Sequence, residues 1–332
     1  MNNDLLKKLC EAHSVAGFET NIRDIILEEI KDYIDDHKVD ALGSLIAHKK
    51  GSGKKMMLAG HMDQIGLMVT YISEEGFLHF SNIGGMMPAY CLGQRFVFEN
   101  GTIGTGACIH ADNMRELSKH LSLDKMYIDI GAKNREDAEK RVKIGDVCTF
   151  YNKTEINDGV VISPALDDRV GCFIMIEALK KLKNPAFDLY FVFTSQEEVG
   201  LRGAKTSAYS VEPDYGLAFD VTISADTPKA RKFPSKMYGG AAIKLKDASL
   251  LCHPTIIAHL ENCAKAADIK YQFEILEAGG TDSGAIHINK GGVPSGVISV
   301  ASRYVHSANE MCAVSDIEDC IALTVKALET AL

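Results

Sequence analysis

The sequence predicts an α/β protein, a mixed sheet with helices on both faces, interrupted by a small β-rich insertion. Three observations carry this. Apolar residues recur at helical spacing near the start, and strands alternate with helices from Val160 onward. Between about Gln64 and Phe150 the pattern changes to short apolar or alternating runs parted by glycine turns. A length of 332 residues also exceeds one simple core. The expected division is a discontinuous α/β domain over residues 1–63 and 151–332, with residues 64–150 inserted.

Leu5, Leu6 and Leu9, then Ile22, Ile25, Ile26, Ile30 and Tyr33, mark two amphipathic helices. The turn Ser14-Val15-Ala16-Gly17-Phe18-Glu19 joins them. Strands are expected over 44–48 and 55–59, the second with a buried Met-Met-Leu-Ala run leading to His61. Inside the insertion, 66–71, 77–81, 95–98 and 127–130 are strands and 135–141 a short helix. Glu75-Gly76, Gly84-Gly85 and Asn100-Gly101 supply turns. Beyond it come a helix over 169–182, a buried strand over 188–194 and a strand over 215–219. A helix over 254–267, strands over 271–275 and 293–300, and a last helix from Asp316 complete the pattern. No internal repeat interrupts it.

A net charge of −9 excludes a phosphate-binding surplus, so no nucleic-acid partner is expected. Nine dispersed cysteines without a Cys-x-x-Cys pair read as reduced thiols in a cytoplasmic protein. The start becomes an amphipathic helix at once, and no run is apolar enough for a signal peptide or a membrane span.

Five side chains stand out as metal ligands: His61, Asp167, Glu198, Asp220 and His306. Histidine and carboxylate without cysteine is the donor set of a hydrolytic two-metal centre. His61, the pair Glu197-Glu198 and Asp220 all fall at expected carboxyl ends of strands, where open α/β sheets place their sites. Asp63 lies two residues after His61; on extended backbone it shares that face and accepts from the ring nitrogen not given to metal. A turn carboxylate is the blander alternative. Asp168 is as readily a helix N-cap as a functional group, whereas two-oxygen Asp167 suits bridging cations ~3.5–4 Å apart. Adjacent buried Glu197 and Glu198 would repel, and metal at one leaves the other poised as a base.

His306 alone is an ordinary loop histidine. His13, His37, His48, His79, His110, His120, His253, His259 and His287 lack comparable acidic context. The turn Ala278-Gly279-Gly280-Thr281-Asp282-Ser283-Gly284 lacks the Gly-Lys-Ser/Thr ending of a phosphate loop and is expected to line a cleft. Lys229, Arg231, Lys232 and Lys236 form either a basic pocket wall for acidic substrates or, as such runs more often do, a solvated face.

Five motifs in order resemble those of the M42 metalloaminopeptidases, the tetrahedral or TET enzymes. They are Gly60-His61-Met62-Asp63, Ala165-Leu166-Asp167-Asp168-Arg169, the run from Gln196 to Ala204, Gly279-Gly280-Thr281-Asp282, and Arg303-Tyr304-Val305-His306-Ser307. That family includes glutamyl and deblocking aminopeptidases, and some members carry an endoglucanase label. The resemblance implies a di-metal exopeptidase fold binding two divalent ions, zinc, cobalt or manganese. His61 and Asp220 would hold one ion, Glu198 and His306 the other, and Asp167 would bridge. Glu197 would be the general base toward a metal-bridging water, and Asp63 would orient His61. It further implies a PDZ-like dimerisation domain in the insertion, and dimers joined in a hollow dodecamer admitting short peptides. Two positions depart from the pattern: Gln64 replaces an acid and Lys229 a glycine. Rival readings are a glycoside hydrolase, a di-metal carboxypeptidase or deacylase, and a non-catalytic scaffold; the missing tryptophan argues against a polysaccharide groove.

Overall fold

The computed structural model describes every residue except 110–112, 114 and 118–120, so His110 and His120 lie outside the described residues. Lys55–His61 forms the centre of a mixed sheet, with Asp188–Thr194 and Tyr215–Ile223 parallel on its two sides. Ser295–Arg303 continues the parallel set beyond Tyr215–Ile223. Antiparallel strands extend both edges: Leu45–Lys49 and Asp36–Val39 on one, Glu310–Ala313, Val160–Ser163 and Glu155–Asn157 on the other. Ala241–Lys246 and Tyr271–Ile275 branch from Ser295–Arg303, giving eleven strands among the described residues.

Strand alternation sends neighbouring side chains to opposite faces. Leu58, Phe191, Phe193, Leu217 and Phe219 meet one set of helices, including Asn3–Cys10, Thr20–Ile30, Leu166–Lys181 and Val314–Leu328. Met57, Ala59 and Val192 meet Arg202–Val211 and Asp282–Ile286 on the other. Central parallel strands buried on both sides explain the nearly unbroken apolar runs. Leu166–Lys181 is buried from Leu166 to Leu179 and occupies the middle of its layer.

Most expected elements occur within a few residues of their predicted ends. Several strands were not anticipated, among them Ile103–Cys108, Val147–Phe150, Val160–Ser163, Ala241–Lys246 and Glu310–Ala313. Glycines at 104 and 106 blur the first, and Val147–Phe150, Val160–Ser163 and Glu310–Ala313 are only four residues long. The Arg202–Val211 helix was also missed, its start carrying Gly203 and no side-chain cap.

The intervening segment forms a closed antiparallel barrel of six strands, ordered Gly66–Ile72, Leu78–Ile83, Met126–Asp129, Ile103–Cys108, Arg95–Phe98, Val147–Phe150. Phe96, Phe98, Ile128, Cys148 and Phe150 belong to its own apolar cluster. All nine cysteines are free and buried. No helix among the described residues is long and apolar enough to cross a membrane.

Candidate metal centre

Parallel register sets the site's floor by pairing Thr194 with His61, so Glu197 and Glu198 emerge just past the end of the strand beside His61. Asp220 lies within Tyr215–Ile223 and is 7% exposed. Asp167 opens the Leu166–Lys181 helix, and His306 occupies the loop between Ser295–Arg303 and Glu310–Ala313. The structure brings His61, Asp167, Glu197, Glu198, Asp220 and His306 around one cavity.

The two imidazoles are arranged alike. His61 Nδ1–H donates to the Asp63 backbone carbonyl at 3.1 Å, and His306 Nδ1–H to the Gly85 carbonyl at 2.9 Å. Each Nε2 is thereby turned toward Asp167, His61 at 3.0 Å from Oδ1 and His306 at 3.4 Å from Oδ2. Fixing one nitrogen as donor selects the tautomer that offers the other as a ligand. His61, Asp167 and Glu198 place ligand atoms within 4.8 Å of one another. Glu198 Oε1 is buried without an aligned hydrogen-bond donor among the described residues, although His306 Nε2 lies 3.3 Å away.

Charge points the same way. Burial pushes the Glu197 and Asp220 carboxyls well above their ordinary range, opposed by His61 and reinforced by surrounding carboxylates. Burial also acts on Asp167, but hydrogen bonds from His306 and His61 hold it below the usual carboxylate range. His306, despite burial, is raised to about 12 by Asp167 and Glu198. Acids this crowded and buried are relieved by protons or by cations, and the donors present suit divalent cations.

Buried carboxylates also hold the backbone that carries these groups. Asp63 accepts the amides of Glu197 and Glu198 at 2.9 and 3.1 Å. Its carboxylate therefore positions the acid pair, while the His61 ring takes the Asp63 carbonyl; Asp63 Oδ1 stands 3.6 Å from His61 Nδ1. Glu310, which sequence reasoning missed, accepts the amides of Asp167 and His306 at 2.8 and 2.7 Å. Burial, reinforced by Asp167, raises its carboxyl to about 8. Asp168 accepts the amides of Gly171 and His61, the capping and backbone-orienting one of the two roles the sequence left open.

Other positions off the site's first rank are also accounted for. A Cβ at Gly85 would stand 2.7 Å from His306 Nδ1, so only glycine lets the ring pass. His306 itself adopts φ +63°, and Ala165, Gln196, Leu201 and Tyr304, each within four residues of a proposed site residue in sequence, are also left-handed. Such strain concentrates at functional sites. Gln64 accepts from buried Arg169 and donates to Thr149, a pair of roles a carboxylate would not fill. Lys229 keeps φ +61°, a conformation that glycine adopts without cost.

The M42 glutamyl aminopeptidase family profile matches residues 43–323. A candidate aminopeptidase of Acetivibrio thermocellus is 52% identical over 98% of both chains. An aminopeptidase structure from the archaeon Desulfurococcus kamchatkensis aligns with TM-score 0.94 at 36% identity, covering 99% of this chain and 94% of that one. The TET1 peptidase of Pyrococcus horikoshii, described as assembling into a tetrahedron or a large octahedral shell, aligns with TM-score 0.88 at 31% identity over 99% of each chain.

Proposed function

The chain belongs to the M42 glutamyl aminopeptidase family and is a hydrolase acting on peptides, and we propose that it releases amino-terminal residues with a two-cation centre. The observation that carries this is the symmetric presentation of His61 and His306 Nε2 to the two oxygens of Asp167. His61 with Asp220 would hold one divalent cation, Glu198 with His306 the other, and Asp167 both. When bound, such cations supply Lewis acidity to a water and to the scissile carbonyl, and an anchor for the free amine. Zinc, cobalt and manganese all suit these donors.

Glu197 is the base in this reading. It lines the cavity, and its backbone is held by Asp63, so its carboxylate can take the water's proton and return it to the leaving amine. Asp63 and Glu310 are positioning residues that hold the ligand-bearing loops in place.

Two rivals lose support from the cavity. Among its described lining residues there is no Phe, Tyr or Trp for sugar stacking and no Lys or Arg for a substrate carboxy terminus. Both absences favour an aminopeptidase. We further assign residues 64–150 as an inserted PDZ-like dimerisation domain, with dimers building a hollow dodecamer; a relative that forms closed shells supports self-assembly. Free buried thiols suit a cytoplasmic setting. The test compares chelated and metal-restored protein on peptides with free or acetylated amino termini. Metal-dependent cleavage of free termini alone is expected, and equal cleavage of both would reject the assignment.

A further inference from the structure

The cleft has an apolar lining that the proposed metal ligands leave unexplained. The cavity holds about 580 Å³, and Met87, Leu201, Ile223, Leu276, Ala278 and Val305 supply apolar lining beside the proposed ligands. Met87 and Ile223 are 50% and 46% exposed, which is apolar surface left available to a substrate. Gly279, with φ +79°, turns the chain here; its nearest side-chain contact is Leu276 Cδ2, 3.5 Å from where a Cβ would sit.

Charged groups beside this wall are already engaged. Arg231 pairs with Glu277, next to Leu276 and Ala278, and Arg303 makes a two-pronged contact with Asp226 at 2.8 and 2.7 Å. Buried Lys244, whose charge reaches Asp220, is held by Glu274 and Asp247. Lys229, Lys232 and Lys236 are exposed and do not line the cavity. The carboxylates that do line it, Asp167, Glu197, Glu198 and Asp220, all belong to the proposed centre. An acidic or basic first side chain would therefore shed its water against this wall without gaining a partner. An aliphatic one would cover Ile223 and Met87 and lose nothing.

We propose that this wall, built on Ile223, Leu276 and Val305, selects peptides whose first residue is aliphatic, leucine or methionine, over those beginning with glutamate, aspartate, lysine or arginine. The inference rests on the aminopeptidase reading and assigns its substrate class, one that differs from the glutamyl preference in the family's name.

Metal-restored full-length protein is assayed on aminoacyl p-nitroanilides of Leu, Met, Glu, Asp, Lys and Arg. The kcat/KM for Leu or Met should exceed every charged substrate by at least ~10-fold, the scale on which apolar pockets discriminate. A charged substrate that is hydrolysed best overturns the substrate class and leaves the aminopeptidase reading standing. Hydrolysis of none overturns the reading itself, and this inference with it. As a second arm, Ile223→Lys should raise the Glu-to-Leu ratio of kcat/KM by ~10-fold or more. An unchanged ratio would remove Ile223 from the selecting wall and overturn the proposal.

Discussion

The two halves of the proposed centre are built differently. His61 and Asp220 stand on adjacent parallel strands, 2% and 7% exposed, and sheet register sets their positions. Glu198 and His306 stand on loops; the His306 side chain is 28% exposed, its backbone is left-handed, and its ring leans on Gly85 next to the barrel. The strand-built half takes its shape from sheet register, with Asp168 on the His61 amide. The loop-built half is held by buried carboxylates, Asp63 beneath Glu198 and Glu310 beneath His306. We therefore expect unequal cation sites, with the strand-built one retaining its ion longer.

Changes at this centre should rank by how directly they reach the reacting atoms. Glu197→Gln should lower kcat ~10²–10⁴-fold with metal content intact, measured by steady-state kinetics beside elemental analysis. Near-wild-type turnover would assign the base elsewhere. Glu310→Gln should weaken the cation assigned to Glu198 and His306 by about 10–100-fold and the other, which shares Asp167, by less, read by competition with a chelating dye, because the amide keeps only one of the two acceptor oxygens that separately take the Asp167 and His306 N–H groups. Equal weakening of both cations would dissolve the distinction between halves. Gly85→Ala should act on the same ion more gently, roughly 10-fold, by displacing the His306 ring. A metal-free protein that kept its second-site affinity in this variant would show the barrel-side contact to be idle.

The smallest effect is on stability against pH. His61 and His306 are raised above their unfolded values, so their contribution is complete below about pH 6.5 and is lost as pH rises toward the folded values. Glu197, Asp220 and Glu310 are also raised; they bind more protons folded than unfolded and destabilise progressively as pH rises above the unfolded range. Both signs agree, so the melting temperature of chelated protein should fall between pH 6 and pH 9. Bound cations should flatten that slope in calorimetry.

The strand-built half was the legible one. His61 closes a buried apolar run and stands at a strand end as expected, whereas Asp220, expected just past a strand ending at Phe219, lies inside a strand that runs on to Ile223. Glu310 was not legible, because its meaning comes from the amide of Asp167, 143 residues away. Gly85 looked like one turn glycine among several until the ring of His306 lay against it. Barrel closure, through Val147–Phe150 on Gly66–Ile72, is likewise a long-range pairing that leaves little trace in local pattern.

One titration tests the central claim. Chelated protein receives zinc, cobalt or manganese in steps while cleavage of a leucyl peptide is followed with ion binding. Two ions per chain are expected, the first bound more tightly and nearly silent, with activity rising as the second fills. Full activity at one ion per chain, or activity untouched by chelation, would contradict it.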